Sequence, residues 1–218
     1  VFADPSICGS MIGRISLFLG GPPAAPVFMT VMGYFLSRTN KDFKTMLLRG
    51  AKLLLGGIAL NIALNSNLLY KIATGQSNVN PLDFIFGIDI LVLAGVTTII
   101  MALLKKLLDV NFVIPMILAL VIFYLTPIIN STINDTSGSI RYFVSVFGGD
   151  SSWSYFPLFP WAAYPLLGYG VSLFMKSEMA GVFEKKALIF PLLVVWVVWV
   201  GYTIEFGVAT AATLKSYY

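Results

Sequence analysis

The feature that most constrains this chain is a succession of apolar runs, each close to the thickness of a bilayer's hydrocarbon core and each ended by turn residues or charge. A membrane-crossing helix needs roughly 17 to 25 predominantly apolar residues. Six stretches approach that length, at 22–38, 46–65, 83–104, 110–129, 155–175 and 187–208. None alternates apolar with polar residues as a barrel strand does, and a helix satisfies its backbone hydrogen bonds within one segment. The sequence therefore predicts an all-α fold, a polytopic integral membrane helical bundle of about six spans within one membrane domain, 1–218. Composition agrees: 58% of the 218 residues are hydrophobic and 11% charged, too little polar surface to cover a soluble globule.

Charge gives the spans a direction. With the end of the first span cytoplasmic, the inner loops hold Arg38, Lys41, Lys44, Arg49, Lys52, Lys105, Lys106, Lys176, Lys185 and Lys186, most of the 14 basic residues. The outer segments keep Arg14, Lys71, Arg141 and Lys215, the bias that the positive-inside rule favours. The net charge of +4 lies mostly in short loops between spans, which points to the lipid bilayer as partner and not to nucleic acid.

Between the spans, 1–21 is expected to form an outer re-entrant or interfacial segment, because Gly9, Gly13 and Arg14 interrupt its apolar run. Cys8 is the only cysteine, which excludes an internal disulfide. The stretch 130–154 is expected to be an outer loop, with a short surface helix around Tyr142 and Phe143 placed to lid a cavity. Two sequons, Asn130-Ser131-Thr132 and Asn134-Asp135-Thr136, fall in it, and matches this short arise often by chance. The chain opens on Val1 and stops at Tyr218 just after an apolar run, so a fragment of a longer protein is expected.

A few residues stand out for chemistry. Asp89 is placed about six residues inside the third span, where an ionisable group costs roughly 2.5 to 3.5 kcal/mol and so should face a cavity or a partner. It is the candidate catalytic group, weighed against a hydrogen-bonded interhelical contact. Asp83, nearer the outer surface, reads as a helix-start carboxylate favoured by the macrodipole. Phe156, Pro157, Phe159, Pro160 and Trp161, followed by Pro165, put prolines and aromatics in the outer half of the fifth span, where freed carbonyls are tolerated only against protein or a wet cavity. With Pro23 and Glu205 they form the candidate substrate cavity. For Glu205, after Trp196, Trp199 and Tyr202, an interfacial aromatic belt is the plainer explanation. Arg38, Lys44, Arg49 and Lys52 form an inner collar able to hold a polyanion such as the phosphates of a nucleotide-like cofactor, or simply anionic lipid. Pro22 precedes Gly33-Tyr34, and Pro157 precedes Gly168-Tyr169, by the same eleven residues, a cadence compatible with a parallel repeat. Phosphate-loop, metallohydrolase and serine-hydrolase motifs are missing, and no metal site is expected.

The run Gly20-Gly21-Pro22-Pro23-Ala24-Ala25-Pro26-Val27-Phe28-Met29, leading into Met32-Gly33-Tyr34-Phe35-Leu36, resembles the second membrane helix of the heparan-alpha-glucosaminide N-acetyltransferase catalytic family. Leu48-Arg49-Gly50-Ala51-Lys52-Leu53-Leu54-Leu55-Gly56, and the block from Phe156 to Gly168, resemble its later segments in order. The resemblance implies acetyl-CoA as acyl donor on the cytosolic side, a glycan or cell-envelope sugar acceptor on the far side, and an integral protein of a bacterial cytoplasmic membrane, with a homo-oligomer possible. It also implies a catalytic histidine in the outer loop before the second helix, and this chain has no histidine. The expected base and the first helix are therefore placed upstream of Val1, with further helices after Tyr218. A divergent inactive relative is the other explanation. The function so implied is a multipass membrane acyltransferase. The alternative is a transporter or flippase of a polar or lipid-linked substrate, with Asp89 and the broken fifth span marking its pathway, and a non-catalytic membrane subunit comes third.

Overall fold

A computed structural model describes residues 24–39, 42–134, 138, 140–149 and 153–177. The chain divides into two compact units, Val27–Leu173 and a second composed of Val1–Pro26 with Phe174–Tyr218. Nearly all of the described residues belong to the first. The segment 1–21, Pro23, Lys41, Lys185, Lys186, the span at 187–208 and Glu205 lie outside the described residues.

Among the described residues the fold is all-helical, without strands. The helices are α1 (Ala24–Ser37), α2 (Phe43–Leu64), α3 (Ser66–Ala73), α4 (Pro81–Ile85), α5 (Ile90–Leu108), α6 (Val113–Asn134), α7 (Arg141–Val144), α8 (Leu158–Trp161) and α9 (Ala163–Phe174). Three of them, α2, α5 and α6, are long and apolar enough to cross a membrane. At about 1.5 Å per residue, their 22, 19 and 22 residues reach about the 30 Å of a hydrocarbon core. Leu48, Leu55 and Leu64 of α2, with Leu120, Tyr124 and Ile128 of α6, stay exposed, the kind of apolar surface a bilayer solvates.

Helix α2 packs along α5, and small residues make the contact possible. A Cβ on Gly95 would lie 2.7 Å from the Leu54 amide nitrogen and 2.9 Å from the Gly50 carbonyl oxygen, so the two backbones touch. Without a hydrophobic force between helices in lipid, this close approach is what lets dispersion hold them. Gly57 meets Val92 while Gly50 meets Ile99, so the pair runs antiparallel. A parallel crossing joins α1 to α9, with Gly33 against Pro165 and Arg38 against Ser172.

The buried apolar residues form two layers along the bundle. One gathers Leu36, Met46, Met101, Leu108, Leu166 and Tyr169; the other gathers Met29, Leu93, Ala94, Leu158 and Ala162, with Met32 and Ile122 packing against both. The first layer adjoins the end that carries Arg38, Lys44, Lys105 and Lys106, called here the basic end. The second adjoins the far end, where α3, α4 and α7 lie.

The third apolar run differs from expectation. Instead of a helix over 83–104, the chain forms the short α4, leaves helical structure at Gly87–Asp89, and begins α5 at Ile90. Asp89 is therefore not within a helix, although it packs beside Gly57 of α2. It is the N-cap of α5, its Oδ1 accepting the Val92 N–H at 2.8 Å and satisfying a donor that has no intrahelical partner. Tertiary bonds hold the break open: Asn61 of α2 donates its Nδ2 to the Gly87 carbonyl at 2.7 Å, and Ile88 forms an isolated parallel bridge with Ser154.

The fifth run is kinked as its prolines suggest. Phe159 has φ −98° and ψ 120°, the extended conformation that a following proline favours by excluding the α region. The freed-carbonyl argument does not extend to Pro165, which falls in the first turn of α9, where its missing N–H costs nothing. Helix α6 runs on to Asn134, past the expected start of the loop at 130, and Asn130 accepts the Gly149 N–H at 2.9 Å. That first sequon is thus helical, with its asparagine engaged.

Candidate functional site

At the far end, Asn80 caps α4 by accepting the Leu82 N–H through Oδ1 at 3.1 Å, and Pro81 supplies the pre-set first helical residue. This leaves the Asn80 amide group free to donate to the Tyr142 hydroxyl at 2.6 Å. Asp83, in the first turn of the same helix, accepts from that hydroxyl at 2.5 Å. Arg141 donates to the Tyr142 oxygen at 2.9 Å and lies 3.4 Å from Asp83 Oδ1. Its guanidinium stands 4.5 Å from the centroid of the Trp153 ring and 4.9 Å from that of Tyr142, within cation–π reach of both, and the two rings are themselves 5.4 Å apart. Burial pushes the Tyr142 phenol above its ordinary range, and the hydrogen bond to Asp83 acts in the same direction. The bond with Tyr142 raises Arg141 in turn.

This cluster is continuous with the proline-aromatic segment. The Trp153 carbonyl accepts the Ile88 N–H at 2.8 Å, and the Ile88 carbonyl accepts from Tyr155 and Phe156 at 3.1 and 3.0 Å. Leu158 and Phe159 donate their N–H groups to Val146 and Phe147 at 2.7 and 2.8 Å. So placed, Phe156, Phe159 and Trp161 cover the far-end layer over Leu93 and Met29, with the Phe156 and Trp161 rings 4.9 Å apart, edge to face. The structure thus gathers Phe156, Pro157, Phe159, Pro160 and Trp161 at one end, with Asp89 next to the pinned Ile88.

The basic end holds the four collar residues, but not as one cradle. The buried stripe of α2, formed by Met46, Gly50, Gly57 and Asn61, faces α5. Lys44, Arg49 and Lys52 lie off that stripe and are exposed. Arg38 turns the other way, donating from Nε to Ser172 Oγ at 3.3 Å with its guanidinium 5.0 Å from the centroid of the Tyr34 ring. Three residues earlier on α9, Tyr169 is wholly buried and donates its hydroxyl to Asp109. Lys105 bridges to Asp109 at 2.9 Å and reaches the Tyr169 hydroxyl at 3.4 Å.

Sequence reasoning did not single out Asp109, Asn61 or Asn80, named Tyr169 only for its spacing from Pro157, and did not pair Asp83 with Tyr142. One signal was available: Lys105 and Asp109 stand at i and i+4 at the end of an apolar run. Their shared partner, far along the chain, left no trace in local spacing.

The catalytic-region family model of heparan-alpha-glucosaminide N-acetyltransferase matches residues 11–204, nearly the whole chain. The chain belongs to the heparan-alpha-glucosaminide N-acetyltransferase catalytic family. Searches of curated proteins and of solved structures returned no match. Membership points to membrane acetyltransferase activity, with acetyl-CoA as the donor in general for proteins of this heparan-alpha-glucosaminide N-acetyltransferase type. The three long apolar helices and this membership make the chain an integral membrane protein.

Proposed function

We propose that this protein moves an acetyl group from cytosolic acetyl-CoA to the amine or hydroxyl of a sugar on the outer or lumenal side of its membrane. The observation that carries the reading is the family match across residues 11–204. Segregation of the two ends supports it. Among the described residues most exposed cations sit at one end, as the positive-inside rule expects of a cytosolic face, and a carboxylate with an aromatic segment sits at the other, where Lys71 is also exposed.

The donor set at the basic end fits a polyphosphate. Lys44, Arg49 and Lys52 are exposed, and among the described residues no carboxylate forms an ion pair with any of them. They would hold the donor's phosphates through charge-assisted hydrogen bonds, while Arg38, engaged by Ser172, is turned away from them. Acetyl-CoA supplies the thioester, whose C–S bond breaks as the new C–N or C–O bond forms. The proton lost by the acceptor ends on the released thiol. Phe156, Phe159 and Trp161 border the acceptor in this proposal, and Asp89 is the candidate proton acceptor among the described residues, since the chain contains no histidine. A bacterial cytoplasmic membrane as the setting belongs to the same proposal.

The test uses the full-length protein in lipid nanodiscs with radiolabelled acetyl-CoA and a panel of amino and neutral sugars. Transfer to at least one sugar is expected. The combined Lys44→Ala, Arg49→Ala and Lys52→Ala variant is expected to raise the acetyl-CoA KM about tenfold with kcat retained. Failure of the wild-type protein both to bind acetyl-CoA and to transfer from it would overturn the reading.

A further inference from the structure

The far-end cluster joins three segments that are distant in sequence: α4, through Asn80 and Asp83; α7, through Arg141 and Tyr142; and the segment entering α8, through Trp153. An ion pair as open as Asp83–Arg141, with side chains 25% and 36% exposed, contributes little alone. Here it is part of a connected set. The Tyr142 hydroxyl accepts from Asn80 and Arg141 while donating to Asp83, and the Arg141 guanidinium lies over the Trp153 ring. Each group fixes the next, so loss of one loosens them all. Trp153 is also tied through Nε1 to Ser145 Oγ at 3.1 Å, and its carbonyl takes the Ile88 N–H.

Beyond Trp153 the chain has no regular structure until Leu158, and its backbone bonds go to Ile88, Val146 and Phe147. Those three lie within five residues of the cluster's own members. The register of Phe156, Phe159 and Trp161 therefore depends on how α4 and α7 are held together.

We propose that Arg141, clasped by Asp83 and Tyr142 and stacked on Trp153, is a positioning residue that sets the register of the Phe156–Trp161 segment against the acceptor. This assignment rests on the acyltransferase reading and extends it to residues that make no contact with the reacting atoms. Arg141 acts through Trp153, and Tyr142 carries the tie to α4.

The experiment compares Tyr142→Phe, which keeps the ring and removes the shared hydroxyl, with Arg141→Gln and Asp83→Asn in the full-length protein. Two readouts are taken: hydrogen exchange of the peptide covering 153–159, and KM values for sugar and for acetyl-CoA separately. All three variants are expected to speed exchange in that peptide about tenfold and to raise the sugar KM by a similar factor, with the acetyl-CoA KM unchanged. The charge-reversed pair Asp83→Arg with Arg141→Asp is expected to recover part of the sugar KM lost in Arg141→Asp alone. If the wild-type protein transfers acetyl but the variants leave the sugar KM unmoved, the positioning role is overturned while the acyltransferase reading stands. The positioning role is equally overturned if both KM values change together with protein yield, because that is general destabilisation. A wild-type protein that transfers nothing overturns the acyltransferase reading and this assignment with it.

Discussion

Gly168 lies so close to Thr30 that a Cβ added to it would overlap the Thr30 carbonyl oxygen. Gly33 meets the Pro165 carbonyl oxygen in the same way. The two Gly-Tyr pairs that share a spacing from an upstream proline in the sequence are thus the two sides of one helix crossing. Gly168→Ala must push α1 and α9 apart, since the obstacle is backbone and cannot rotate away. We expect a loss of about 3 kcal/mol, measured by detergent-titration unfolding in micelles. Gly56, with open space around its Cβ position, is the control, and Gly56→Ala should be neutral or stabilising by up to about 1 kcal/mol. A Gly168→Ala protein as stable as wild type would mean that the crossing yields without cost.

Asp89→Ala removes the acceptor for the Val92 N–H and should cost about 1 kcal/mol of stability. Asp89→Asn keeps an oxygen in the same place, so its unfolding midpoint should match wild type while acetyl transfer falls. Full turnover in Asp89→Asn would leave the residue as a helix cap and nothing more.

Thr97 is 2% exposed, and its hydroxyl is the one buried side-chain polar atom without a hydrogen-bond partner among the described residues. Replacing it with an apolar group of the same shape removes an uncompensated desolvation. Thr97→Val should therefore stabilise the bundle by about 1 kcal/mol in the same unfolding assay. Its neighbour Thr98 donates to the Ala94 carbonyl at 2.7 Å, so Thr98→Val should gain nothing.

Asp42, just before α2, is held below its ordinary carboxylate value of 3.8, chiefly by donation from the Thr45 hydroxyl. A carboxylate whose value is lowered by folding adds stability above the unfolded-state value, and that stability is lost as pH falls through the lowered one. The effect therefore disappears on the acid side of 3.8. Thr45→Val should move the Asp42 titration, followed by carboxyl-carbon NMR, back up toward 3.8 and weaken the acid dependence. An unmoved titration would show that Thr45 does not hold the carboxylate.

The membrane-crossing helices were legible because lipid imposes one rule over about 20 residues, and α2, α5 and α6 obey it. The break at Gly87–Asp89 was not, since Phe84 to Leu93 carries an apolar pattern that a single helix would also satisfy. What decides is a bond from Asn61 and a pairing with Ser154, both from other parts of the chain. The aromatic segment could be found from its prolines, which constrain their neighbours locally. The clusters around Tyr142 and Tyr169 could not, because each joins residues about sixty positions apart that have no local reason to be together. The collar was legible as charge but not as direction: Lys44, Arg49 and Lys52 point away from α5 because Gly50 and Gly57 take the opposite stripe of α2.

The crossing of α1 and α9 also bears on how the protein is made. A ribosome delivers α1 to the bilayer long before α9 exists, so the groove at Gly33 first meets lipid or the insertion machinery and not its eventual neighbour. The bundle closes around α1 only when the chain has been extended to Gly168. Nascent chains arrested short of that point should hold α1 in a loosely retained state, open to exchange with whatever else the membrane presents.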